Sequence, residues 1–218
     1  MASVLTPPTT VTLPQRFIID GVTWEQYVTI SDALTPQRGL RLTYDGARLE
    51  LMTLSFLHER FKKLLGRLIE SLALELDIDL QCGGSTTFRR EDVERGLEPD
   101  ECYWIANADQ MIEVSDWNPT VHPPPDLAVE IDVASSSLNR REIYARLGVP
   151  ELWRFDGKSL AALRLNDAGD YEPIEYSLAF PFLLVRDLQQ FLLTDPPASN
   201  TSIVRRFLDW LRERSFEN

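Results

Sequence analysis

Asp126-Leu127-Ala128-Val129-Glu130-Ile131-Asp132-Val133 is the stretch on which the reading of this chain turns. Side chains alternate between faces along a strand. One face is therefore Leu127, Val129, Ile131 and Val133, and the other is Asp126, Ala128, Glu130 and Asp132. A strand with one wet face is common, but such a face usually mixes signs and lengths. Here the polar positions are all carboxylates. Like charges this close resist joint ionisation unless a cation lies among them. The pattern points to a hard divalent ion, Mg²⁺ or Mn²⁺, with Glu130, Asp126 and Asp132 as candidate ligands.

Working outward, Glu98-Pro99-Asp100-Glu101-Cys102-Tyr103-Trp104 places Asp100 at the start of a second strand. Two carboxylates from neighbouring strands can share one divalent ion and leave positions for water and phosphate oxygens. Downstream, Asn139 and Glu142 have capping-box spacing, with Ser137 as an alternative cap. Either cap puts Arg140 and Arg141 in a first helical turn, where each cation opposes the helix dipole by roughly 0.3–1 kcal/mol. An anion nearby would offset that cost, so Arg140 is a candidate for the site, while Arg141 reads as a solvent-facing or Glu142-paired side chain. His58 opens the longest helical pattern and is a candidate for binding phosphate or an active-site carboxylate; Glu59 beside it reads as a dipole partner. Glu50, between Leu49 and Leu51, points away from both and can approach the same site from a hairpin.

The remaining pattern assigns the fold class. Apolar residues at Leu57, Phe61, Leu64, Leu65, Leu68, Ile69, Leu72 and Leu76 repeat with helical period. Asp45-Gly46 between two alternating runs predicts a hairpin. Thr23 predicts a helix N-cap before Trp24. Strands are expected near 85–88, 100–105, 111–114, 127–133, 151–155, 160–165 and 172–176. Helices are expected near 138–147, 185–193 and 202–214. The result is an α/β (α+β) fold, a mixed central sheet flanked by helices. Residues 1–15 read as a flexible arm and 16–194 as the folded domain. Residues 195–218 read as a linker and an amphipathic helix that packs on the domain or on a partner.

Composition narrows the function classes. The chain has 218 residues and a formal charge of −12. That suits a folded globule and argues against non-specific coating of nucleic acid, which requires many phosphate-neutralising cations. Cys82 and Cys102 are too far apart for a CxxC pair, and only His58 and His122 are available, so any metal must rest on carboxylates. The first residues have neither the basic nor the apolar region of a signal peptide, and no apolar run is long enough to span a bilayer. The expected location is cytoplasmic.

Five blocks then stand in order: Tyr44-Asp-Gly-Ala-Arg-Leu-Glu50-Leu-Met52; His58; Glu98-Pro-Asp100; Pro124-Pro-Asp-Leu-Ala-Val-Glu130-Ile131; and Tyr144-Ala-Arg-Leu-Gly-Val-Pro-Glu151-Leu-Trp153-Arg-Phe-Asp156. Together they resemble the Uma-type (Uma-two) restriction-endonuclease family of the PD-(D/E)XK nuclease superfamily, over residues 20–193. The resemblance implies a restriction-endonuclease-like core and a Mg²⁺-dependent phosphodiesterase site. It matches Asp100 to the Asp of the PD element and Glu130 to the acidic residue of (D/E)XK. The Lys slot two residues later holds Asp132, and Arg140 stands where related sequences move the basic residue onto the following helix. Arginine grips phosphate but stays protonated, so it cannot serve as a general base.

The expectation is a Mg²⁺- or Mn²⁺-dependent endonuclease acting on double-stranded DNA, with a homodimer supplying two sites for a double-strand cut. Asp100, Glu130, Arg140, His58 and Glu50 form its candidate catalytic set. The rival reading is a catalytically inactive nuclease fold used for binding or assembly, favoured by Asp132 and the net charge. A glycosidase has less support, since only Tyr103 and Trp104 offer aromatic surface near the acids.

Overall fold

The long amphipathic run forms a helix, α2 (Phe56–Glu75), entered through Ser55, whose hydroxyl accepts the His58 N–H at 3.2 Å. In this computed structural model, which describes residues 15–34, 39–133 and 138–214, that helix lies across a six-stranded sheet. Most of the expected N-terminal arm, and Ser137, lie outside the described residues. The sheet is built from β4 (Gln81–Cys82), β7 (Glu101–Trp104), β8 (Leu127–Ile131), β9 (Glu151–Phe155), β10 (Leu160–Leu165) and β11 (Tyr171–Ile174). Its spatial order is β11-β10-β9-β8-β7-β4. The central strand β8 runs antiparallel to β7 and parallel to β9, and α3 (Arg140–Leu147) lies on the connection between β8 and β9. Leu127, Val129 and Ile131 pack on Leu64, Leu65, Leu68, Ile69 and Leu72 of α2. The opposite face of β8 is not wet: Ala128 sits with Ile143, Tyr144 and Leu147 of α3.

A second sheet of five strands has the order β1-β3-β2-β6-β5, from β1 (Arg16–Asp20), β2 (Leu40–Tyr44), β3 (Arg48–Thr53), β5 (Phe88–Arg90) and β6 (Arg95–Leu97). The predicted Asp45-Gly46 hairpin joins β2 to β3, with the Asp45 carboxylate accepting the Ala47 and Arg48 N–H groups. The helix α1 (Trp24–Leu34) covers one face, where Tyr27 stacks on Tyr44 at 4.6 Å between ring centres. Thr23 and Gln26 cap that helix reciprocally. Gly96 is required here, because a Cβ on it would fall 2.1 Å from the Tyr27 hydroxyl. Leu42 and Tyr44 face α1, so Arg41 and Thr43 face away from it.

The chain crosses from one sheet to the other at Glu98-Pro99-Asp100, between the end of β6 and the start of β7. That crossing positions the site.

Several local expectations differ. Residues 109–111 form a 3₁₀ turn rather than a strand at 111–114, because the Asp126 carboxylate accepts the Ile105 and Asn107 N–H groups and curls the chain. The strand expected at 85–88 starts only at Phe88, and its partner β6 lies beyond a 3₁₀ turn at Glu91–Val93. The strand β1 has no alternating signal, since all its residues are exposed. Residues 185–193 divide into a 3₁₀ turn, Val185–Leu188, and a short helix α4 (Gln189–Leu192). The last helix, α5 (Asn200–Arg212), buries Ile203, Val204, Phe207 and Leu211 in the same core as α2. Among the described residues no helix is long and apolar enough to cross a membrane.

Candidate active site

Asp100 stands at the sheet crossing and is fully buried. Its carboxylate accepts the Ile131 N–H at 2.7 Å, which ties it to the backbone of the neighbouring strand immediately after Glu130. Glu130 points from the α3 face of β8 and is 1% exposed. The guanidinium of Arg41, reaching in from β2, lies between the two. One of its nitrogens contacts Asp100 and the other sits 3.1 Å from Glu130 Oε2. The two acids therefore converge on a single cation.

Glu130 Oε1 is held from the other side. Arg140 places Nη2 2.5 Å and Nε 3.2 Å from it, and the Tyr144 hydroxyl donates to the same oxygen. Arg140 is in turn fixed by the Thr43 hydroxyl and by the Glu98 carbonyl at 2.7 Å, and its guanidinium lies over the Tyr144 ring. Helix α3 starts at Asn139 without a side-chain cap bond: the Glu142 N–H reaches the Asn139 carbonyl at 3.1 Å, and the Glu142 carboxylate faces Arg95 at 3.6 Å rather than closing a capping box. The dipole cost at Arg140 is offset by Glu130.

Burial alone would push the Glu130 carboxyl up. The guanidiniums of Arg140 and Arg41 and the bonds from Arg140 and Tyr144 outweigh it and hold the group below the usual range. Burial lowers Arg41, whereas for Arg140 the attraction of Glu130 overcomes burial and raises it. His58, on the buried side of α2, is pushed down to about 4 by burial and by the Arg41 guanidinium. It is neutral at neutral pH, and its Nε2–H donates to Asp100 at 3.0 Å. A second cation stands behind Asp100: Lys62 donates to the Ser85 hydroxyl at 2.6 Å, and that hydroxyl donates to the Asp100 carbonyl at 3.2 Å.

The other predicted site residues have partners of their own. Asp126 spends its oxygens on the Ile105 and Asn107 N–H groups and the Asn107 amide. Asp132 pairs with Arg154 on β9. Glu50 shares the Thr43 face of the hairpin and is met by Arg16 at 3.4 Å. Among the described residues no group of three or more His, Cys, Asp or Glu side chains is gathered for a metal ion. The expected quartet is thus a pair, Asp100 with Glu130. That pair suits a divalent ion in its donor chemistry, two hard carboxylates already focused on one positive charge. A crevice of about 100 Å³, lined by Glu130, Asp132, Arg140, Arg141, Tyr144 and Arg154, opens beside Glu130 and has room for a few waters.

The Uma2 family model, described as "Putative restriction endonuclease", matches residues 24–195. The chain belongs to the Uma2 family. A protein from Anabaena variabilis, described as a putative nuclease belonging to DUF820, has the same fold as this Uma2 chain, with a TM-score of 0.52 at 13% identity. The match covers 87% of this chain and 99% of that one. No curated protein matches this chain.

Within this Uma2 chain the Gly148–Trp153 block is structural. Gly148 ends α3 with φ of 79°, and the buried Glu151 accepts from the Trp153 indole at 2.6 Å, the Ser177 hydroxyl at 3.1 Å, and the Leu178 and Ala179 N–H groups at 3.0 and 2.8 Å. Sequence reasoning missed Arg41, Tyr144 and Lys62. A signal for Arg41 was present: Arg41, Thr43 and Glu50 share one face of a hairpin whose other face is apolar. Lys62 falls one turn after His58 on the same helical face.

Proposed function

We propose that this Uma2 chain is a metal-dependent endonuclease that hydrolyses phosphodiester bonds of double-stranded DNA. The observation that supports this most is the convergence of Asp100 and Glu130, from adjacent strands, on one cation position with Arg140 fixed beside it. In this reading Asp100 and Glu130 hold Mg²⁺ or Mn²⁺. When bound, such an ion supplies Lewis-acid charge stabilisation and makes water acidic enough to attack at neutral pH. Arg140 keeps a fixed positive charge at the crevice and stabilises the charge that develops on the phosphate. Neutral His58 orients Asp100, and Glu50 supports the hairpin face from which Arg41 and Thr43 reach in. Asp126 and Asp132 take no part in the ion shell, since their oxygens are committed to the 105–107 turn and to Arg154. A double-strand cut calls for two such sites, hence a homodimer, and the substrate makes the cytoplasm the expected compartment.

The test is cleavage of a plasmid in Mg²⁺ or Mn²⁺ by the wild-type chain and by Glu130→Gln. Cutting by the first alone is expected. Cutting that survives the substitution would assign the activity to another site.

A second reading, a catalytically inactive nuclease fold used for binding, has its own observation. Asp132 occupies the Lys slot and is paired with Arg154, while Glu130 is already satisfied by Arg41, Arg140 and Tyr144. A calorimetric Mn²⁺ titration separates the two: heat that disappears in Asp100→Asn favours the nuclease.

A further inference from the structure

We propose that Arg41 is a built-in occupant of the ion position, and that a divalent ion binds Asp100 and Glu130 only by displacing its guanidinium. This rests on the reading of those two acids as the ion site. Two buried carboxylates already face two guanidiniums, Arg41 and Arg140, whose charges balance theirs. A dication added to a neutral cluster in a low-dielectric interior meets like-charge repulsion, so one guanidinium has to leave.

The contacts decide which one. Arg140 is held by three partners besides carboxylate: the Thr43 hydroxyl, the Glu98 carbonyl and the Tyr144 ring. Among the described residues the guanidinium of Arg41 meets only Asp100, Glu130 and His58, and the His58 contact is long, at 3.4 Å. Its two anchors are the same carboxylates the ion needs. Arg41 reaches in from the second sheet at the end of a flexible four-bond stem, so it can withdraw without moving Asp100 or Glu130. Once free it keeps its charge, because arginine does not deprotonate.

The prediction runs against the usual expectation that removing a contact weakens a site. The full chain is titrated with MnCl₂ by calorimetry as wild type, Arg41→Gln, Arg41→Lys and Asp100→Asn, with melting curves recorded with and without Mn²⁺. Arg41→Gln is expected to bind Mn²⁺ about tenfold more tightly than wild type, the scale of one charge removed from a partly screened site. Its melting temperature is expected to be lower without Mn²⁺ and to rise more on adding it. Arg41→Lys keeps the charge but not the two-pronged fork, so its affinity falls between the two, and it provides the comparison if the glutamine variant folds poorly. Folded Arg41 variants that bind Mn²⁺ no more tightly than wild type overturn the inference, as does a complete absence of Mn²⁺ binding in all of them. Asp100→Asn separates the causes. Mn²⁺ heat that persists in it removes the ion site itself; heat lost in Asp100→Asn but not strengthened by the Arg41 changes removes only the role of Arg41.

Discussion

At the scale of single residues, the site is governed by buried charges that are stable only in company. Glu130→Gln would leave two buried guanidiniums with a neutral partner. The loss of stability on breaking such a network is about 3–5 kcal/mol, which chemical denaturation would show as a lower midpoint. Tyr144→Phe removes only the hydroxyl donor to Glu130 and is expected to cost roughly 1–2 kcal/mol, with the ring packing on Arg140 preserved. His58 sets an acid limit. Arg41 from β2, Asp100 before β7, Glu130 on β8 and Glu59 on its own helix all face it, and its folded pKa is lowered from 6.5 to about 4. The unfolded chain therefore binds more protons between those values, so stability is fully present above pH 6.5 and declines as pH falls toward 4. The decline amounts to roughly 2–3 kcal/mol. Melting curves from pH 7 to 4 should show this slope, and His58→Gln should flatten it.

At the scale of elements, each functional side chain depends on how its element is started, ended or crossed. Ser55 caps α2 and fixes the first turn that carries His58. Ser55→Ala is expected to cost about 1 kcal/mol of stability and to loosen the Asp100 contact with it. Glu151 anchors β9 to the 177–179 turn through three donors and accepts a fourth bond from Trp153 on its own strand. Replacing it with Ala strands those donors in the core, and the expected loss is about 3–5 kcal/mol, measurable by urea unfolding with little change in Mn²⁺ affinity. That contrast marks Glu151 as structural although it lies in one of the most specific sequence blocks of the family.

At the scale of the whole molecule, two sheets meet at one seam. Arg41 and Thr43 from the five-stranded sheet engage Glu130 and Arg140 from the six-stranded one, and the chain crosses between them at Asp100. Asp100, on the link between the sheets, and Glu130, on β8, are thus focused where the two layers meet. The global charge of −12 bears on substrate binding, because an acidic surface neutralises few phosphates. Duplex affinity measured by fluorescence anisotropy in Ca²⁺ should fall with salt with a shallow logarithmic slope, about −2 to −3, reflecting a few arginines near the crevice. A slope near −8 would place an extended basic surface on the molecule.

Much of the architecture is local and was readable without coordinates. The period of α2, the Asp45-Gly46 turn, the Thr23 cap and the alternation through 127–131 each depend on neighbours a few positions away, and each element formed. The positions of Asp100, Glu130, Arg140 and His58 were also visible, because a carboxylate or an arginine in an unfavourable local setting stands out. What only the tertiary structure decided was their company. Arg41 meets Glu130 across 89 positions and Arg140 meets Thr43 across 97. No local period encodes such pairs; they exist because strands of two sheets meet and bury these side chains together. The same packing sent Asp126 to the 105–107 turn and Asp132 to Arg154, so three acids aligned on one strand serve three separate ends.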